Sequence, residues 1–165
     1  MPAIQALLKG CLRHGPAPSY LIHLSGTANI SDPGDYPCGV LNPKIWSDVA
    51  NIVDIQSLPD NTIHRPVDKL LQEFAEQHGD EVKVAIVYPP DIYGEGTGAV
   101  KKSSYLVPLF AEESKKLGSA FFIGKGENVR SIVHIRDVAA LYLLLVEDAL
   151  EGGKKAGWGK DVSLK

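Results

Sequence analysis

Two short apolar runs, each ending in polar or turn-forming residues, constrain this chain most. Tyr20-Leu21-Ile22-His23-Leu24 leads into Ser25-Gly26-Thr27. Val82, Val84, Ile86 and Val87 lead into Pro89-Pro90-Asp91-Ile92-Tyr93-Gly94. Nearly continuous apolar runs bounded by turn residues are strands of the kind found in parallel sheets. Between the two runs, the spacing predicts a helix from Pro66 that buries Val67, Leu70, Leu71, Phe74 and Ala75 and closes at His78-Gly79. A strand, a crossover helix and another strand imply a parallel pairing. Open sheets of this class bind ligands beyond the carboxyl ends of their strands. The hydroxyls of Ser25 and Thr27, Lys69 on the helix and the Pro89-Pro90 loop are therefore expected to meet at one edge.

The other segments continue the alternation. Ala3, Ile4, Leu7, Leu8, Cys11 and Leu12 recur at helical spacing until Gly15-Pro16. Residues 29–44 are rich in Gly, Pro, Asn and Asp and read as a surface loop. Trp46 to Ile55 suggests short irregular or helical structure. Residues 104–117 read as a helix, Ala120 to Ile123 as a short strand, and Ser131 to Ile135 as another. Asp137 to Leu150 has the strongest helical pattern, with Asp137 placed to cap it. The tail, Glu151 to Lys165, mixes Gly, Lys and Asp with few apolar residues and is expected to be loose. Few strands are available to build a covered parallel sheet, so a partial sheet is expected. An unpaired edge of that kind invites self-association.

Bulk properties narrow the function. At 165 residues the chain can bury one sizeable core. A net charge of -3 and the lack of a basic stripe argue against nucleic acid as a partner. No apolar run reaches the length of a membrane span. Two cysteines, Cys11 and Cys38, without metal-ligand spacing fit a reducing, cytoplasmic compartment.

Four ordered segments resemble the extended short-chain dehydrogenase/reductase family, also called the NAD-dependent epimerase/dehydratase family. Leu24-Ser25-Gly26-Thr27 is similar to the strand end that carries the family's catalytic Ser or Thr, with Thr27 at that position. Lys69 is similar to the lysine of its Tyr-x-x-x-Lys motif. Ile86 to Gly94 resembles the loop that touches the nicotinamide. Val129-Arg130-Ser131-Ile132-Val133-His134-Ile135-Arg136-Asp137-Val138-Ala139 resembles its arginine, strand, His, Asp, helix pattern. The resemblance covers about residues 3–150. It implies a partial Rossmann-like α/β fold with a parallel sheet and a small C-terminal substrate-side subdomain. Residues 1–98 would then be the C-terminal half of an NAD(P)-binding domain, 99–150 the substrate side, and 151–165 the tail.

The resemblance also implies a cofactor, NAD or NADP, and a small carbonyl, alcohol or sugar-type substrate. In such enzymes a tyrosine moves a proton at a substrate oxygen while the cofactor takes or gives a hydride, and the lysine lowers the tyrosine's pKa and holds the ribose. Carried onto this sequence, Thr27 and Lys69 are catalytic candidates. Lys69, Pro89 and Pro90 are cofactor-side candidates, and Ser25, Asp91 and Arg130 are substrate-side candidates. Arg130 is included because a guanidinium can meet substrate phosphates.

Three departures stand out. Arg65 occupies the tyrosine position, and a guanidinium cannot serve as an acid or base. His64 beside it titrates near neutrality and is the local substitute. Tyr88 stands where many relatives carry arginine. No Gly-rich strand-turn-helix unit precedes these segments, and Gly94-Glu95-Gly96-Thr97-Gly98 is not that motif. The sequence thus supports two functions: a partial NAD(P)-dependent epimerase, dehydratase or reductase, or a non-catalytic relative that senses a ligand or binds a partner. His23, inside an apolar strand, is expected to be a satisfied core residue.

Overall fold

The apolar runs pair as the sequence pattern requires. The structure, a computed structural model, describes residues 2–32 and 36–159. In it β1 (Ser19–Leu24) lies parallel to β2 (Val82–Val87), with Ser19 opposite Val82 and Leu24 opposite Val87. The crossover between them carries the short α2 (Ile52–Gln56) and the longer α3 (Arg65–His78). Pro66 sits in the first turn of α3, where its missing N–H costs nothing. Before β1 comes α1 (Pro2–Cys11).

The core follows from the two periodicities. Leu8 of α1, Leu71 and Ala75 of α3, and Val82 and Val84 of β2 are buried together, with Leu21, Ile86 and Phe74 packed against them. On α3 the buried positions are Arg65, Asp68, Leu71 and Ala75, a stripe at the three- and four-residue spacing of one helix face. Two of those four are charged, so the stripe that builds the core also carries polar groups into it.

A second parallel pair is smaller. The loop after β2 forms β3 (Asp91–Tyr93), which pairs with β4 (Ile132–His134). Between them lies α4 (Leu106–Leu117), and α5 (Ile135–Leu150) follows β4 directly. The α/β class and the parallel pairing agree with expectation, but as two two-stranded sheets rather than one partial sheet. By contacts the described chain falls into two groups. Of the described residues, those within 2–30, 46–88 and 143–159 form one, and those within 31–45 and 89–142 form the other. This division differs from a boundary at residue 98, because the segment after Tyr88 packs with the 99–142 region.

Three local expectations are corrected. Ala120 to Ile123 is not a strand; Phe121 instead stacks on Phe110 of α4, with ring centroids 4.6 Å apart. Asp137 is in the first turn of α5 rather than its cap, because the helix starts at Ile135; His134 Nδ1 accepts the N–H of Arg136 at 3.2 Å. The tail is not loose through Gly159. Asp148 accepts the backbone N–H groups of Lys154, Lys155 and Ala156 and the indole N–H of Trp158. Trp158 is buried edge-on against Tyr20, at 4.9 Å between centroids. Gly153 makes the turn with a φ of 67°, and a Cβ there would lie 2.7 Å from the Tyr20 ring. Residues 33–35 of the expected surface loop, and 160–165 of the tail, lie outside the described residues.

Candidate active site

The carboxyl edge of the β1–β2 pair is where the chemistry gathers. Ser25 follows β1 directly, and its N–H continues the ladder to the carbonyl of Val87 at 2.8 Å. Tyr88 follows β2. Helix α3 runs back between the strands, so its first turn lies at the same edge, and that turn carries Asp68.

Asp68 is the centre of the cluster and is fully buried. Its Oδ2 accepts three hydrogen bonds: from Ser25 Oγ at 2.7 Å, Asn29 Nδ2 at 2.8 Å and the Tyr88 hydroxyl at 2.8 Å. Its Oδ1 has no hydrogen-bond donor and faces His23 Nε2 at 3.6 Å. Asn29, itself buried, closes the far side by accepting the His64 backbone N–H on its Oδ1 at 2.9 Å. The His64 ring packs against Gly26, where an added Cβ would sit 3.0 Å from its Nε2. Glycine at position 26 is what lets that ring approach.

Burial and charge tune these groups. Burial, and then the bond to Asp68, push the Tyr88 hydroxyl well above its usual range, so it keeps its proton. Burial lowers the His23 pKa, Asp68 opposes that shift, and the nearby His64 adds to it. His23 is accordingly a neutral imidazole at neutral pH beside a buried carboxylate. Its side chain remains 23% exposed, so it is not the satisfied core residue expected from its strand.

The candidates from the sequence divide. Ser25 enters the cluster through Asp68, and His64 borders it. Thr27, half-buried, opens the 3-10 turn Thr27–Ile30 whose Asn29 enters the cluster. Lys69 points elsewhere: one residue past Asp68 on the helix, its Nζ meets Asp60 at 2.7 Å in an exposed ion pair. Pro89, Pro90, Asp91 and Arg130 belong to the second contact group. There Arg130 Nε donates to Asp91 Oδ2 at 2.7 Å, so the two substrate-side candidates engage each other.

Arg65, at the tyrosine position, is 5% exposed. Its Nε donates to the carbonyl of Leu58 at 2.9 Å, Nη2 to that of Gln56 at 2.6 Å, and Nη1 to Gln72 Oε1 at 2.5 Å. It ties the end of α2 to α3 and is spent on structure. The residues that sequence reasoning missed are Asp68, Asn29 and Tyr88. For Asp68 a signal existed: it falls three residues before Leu71 and seven before Ala75, on the apolar stripe.

Residues 64–158 match the NAD dependent epimerase/dehydratase family. The chain belongs to this family. The cluster's Asp68 and Tyr88 lie inside the matched span, as do Lys69 and Arg130. This epimerase/dehydratase-family chain is also similar to the oxidase ucsJ of an Acremonium species, 27% identical over 151 residues. That alignment covers 90% of the chain and 43% of the relative, so the chain spans less than half the relative's length. No solved structure matches it. Among the described residues, no helix is long and apolar enough to cross a membrane, and no group of His, Cys, Asp and Glu is arranged to hold a metal ion.

Proposed function

We propose that this chain carries the substrate and nicotinamide side of an NAD(P)-dependent oxidoreductase or epimerase-type site for a small carbonyl, alcohol or sugar-type substrate. The observation that carries this reading is the Asp68 cluster at the carboxyl edge of a parallel strand pair. Hydroxyl, amide and imidazole groups converge there around one carboxylate. The family supports a nicotinamide cofactor, and the relative's name, an oxidase, favours redox chemistry over epimerisation alone.

The donor set fits the reacting end of such a cofactor and not its phosphates. Ser25 and Thr27 are groups that can line a nicotinamide and substrate pocket. Pro89 and Pro90 lack N–H groups, so they can meet a ligand only by contact. Lys69 can serve the ribose only by leaving Asp60, and an exposed pair of this kind holds weakly. Among the described residues no Gly-rich turn joins a strand to a helix to hold a pyrophosphate. A bound nicotinamide supplies the hydride acceptor or donor. The chain's own residues supply the hydroxyl-binding edge and the proton. The free thiols of Cys11 and Cys38 support a reducing, cytoplasmic setting.

Fluorescence titration of the chain with NADH and NADPH tests the reading. Saturable quenching or enhancement by either, weakened by Ser25→Ala, is the expected result. No binding of either at millimolar concentration would remove the cofactor from this chain's function.

A further inference from the structure

We propose that His23 is the proton-accepting side chain of this site and Asp68 its positioning residue. The proposal rests on the functional reading above, that a hydroxyl- or carbonyl-bearing substrate meets this edge.

The first ground is the asymmetry of the Asp68 carboxyl. All three of its donors converge on Oδ2, while Oδ1 is buried without one. A buried carboxylate oxygen left without a donor is costly and is kept only where something offsets it. The group facing Oδ1 is His23 Nε2 at 3.6 Å, an ion-pair distance that is slightly too long for a hydrogen bond. A protonated His23 would supply the missing donor with a small ring movement.

The second ground is that the other titratable groups of the edge are committed. Tyr88 donates its hydroxyl hydrogen bond to Asp68, and burial keeps the proton on the phenol oxygen. Ser25 donates to the same oxygen. Arg65 is locked to two carbonyls and Gln72, and Lys69 pairs with Asp60. His64 lies against Gly26, with a like-charge influence on His23 when both are protonated. Among the described residues of this edge, only His23 combines partial exposure with a buried, donor-free carboxylate oxygen facing its ring.

The third ground is placement. Leu21 packs on the core under α3, and His23 is two residues further along the same strand face, nearer the carboxyl end. The strand period therefore carries the imidazole from the core to the ligand edge, where the first turn of α3 delivers Asp68.

In alcohol oxidation the substrate O–H bond would break and an N–H bond form at His23 Nδ1, with the bonding pair staying on the oxygen. Nε2–H would then face Asp68 Oδ1, and the two hydride electrons would leave the carbon for an oxidised nicotinamide. Carbonyl reduction is the reverse. The charged and titratable groups acting on His23 are Asp68 from α3 and His64 before it, with Tyr88 after β2 on the other oxygen of Asp68.

Nitrogen NMR of the histidine rings through a pH titration tests the pairing in the whole chain, comparing wild type with Asp68→Asn. The expected result is an Nε2–H tautomer in neutral His23 and a pKa about 1 unit lower in the variant. An Nδ1–H tautomer, or a His23 pKa unmoved by Asp68→Asn, would overturn the proposal whatever the activity. A panel of secondary alcohols with NAD or NADP supplies the kinetic readout. His23→Gln should lower kcat about 100-fold with little change in KM, and the acid limb of wild-type kcat/KM should follow the His23 titration. Unchanged kcat in His23→Gln sinks the assignment. Cofactor binding without turnover of any alcohol sinks the proton-accepting role and spares the cofactor reading; neither binding nor turnover sinks both.

Discussion

Two buried aspartates in the same contact group are treated in opposite ways. Asp148 has both oxygens filled: Oδ1 takes the N–H groups of Lys154 and Lys155, and Oδ2 takes those of Ala156 and the Trp158 indole. Asp68 has one oxygen filled three times and the other left bare beside a neutral imidazole. A carboxylate saturated by backbone N–H groups is a fastener, because every charge it offers is already answered. One that keeps a buried lone pair free can answer a charge that arrives later. The comparison separates a clasp for the C-terminal segment from a site poised for proton chemistry.

The largest expected effect breaks the clasp. Trp158 is 3% exposed, so Trp158→Ala should cost about 3–5 kcal/mol, read by chemical denaturation. A loss below about 1 kcal/mol would mean that the segment after α5 is an ornament and the two aspartates are not so different.

Arg65 belongs with the fastened groups. Arg65→Tyr, which restores the residue type of the family motif, leaves the carbonyls of Gln56 and Leu58 without their donor and should cost about 1–3 kcal/mol. It should bring no gain in turnover, and a gain would show that the tyrosine position retains its catalytic geometry here.

Acid sharpens the contrast. The Trp158 indole first, then the backbone donors, hold the Asp148 carboxyl at about 2, below its ordinary 3.8. A depressed folded value stabilises the fold fully above the ordinary value and is lost as pH falls toward 2. Thermal melts on acidification should show that decline in wild type and a flatter profile in Asp148→Asn. Equal profiles would argue that the clasp is open in solution.

Asp68→Asn should have the smallest effect on stability. Its amide oxygen can still accept from Ser25, Asn29 and Tyr88, so a Tm shift within about 3 °C, or roughly 1 kcal/mol, is expected by calorimetry. A collapse as large as that of Trp158→Ala would reclassify Asp68 as a fastener.

Much of the scaffold is legible in the sequence. Apolar runs at Tyr20–Leu24 and Val82–Val87 gave parallel strands, and the 67, 70, 71, 74, 75 spacing gave α3, because these signals are local and periodic. The family segments drew attention to Ser25 and Thr27, at the edge where the Asp68 cluster forms. Lys69, one residue past the buried Asp68, lies outside the cluster in an exposed pair with Asp60. The residues that define the cluster were hidden by their separation. Asn29 and Asp68 are 39 positions apart, and Ser25 and Asp68 are 43 apart. No local pattern announces a pair at that separation.

The sequence by itself determined the α/β class, the parallel pairing and the strand edge at which polar residues end the apolar runs, since hydrophobic period and turn residues act over a few positions. Tertiary structure decided which polar groups share that edge. Only the crossover brings the first turn of α3 over the end of β1, so only the folded chain reveals that a buried carboxylate, with one oxygen unanswered, stands beside His23. The same holds for Asp148, whose role depends on a chain that turns back at Gly153 to lay Trp158 against Tyr20.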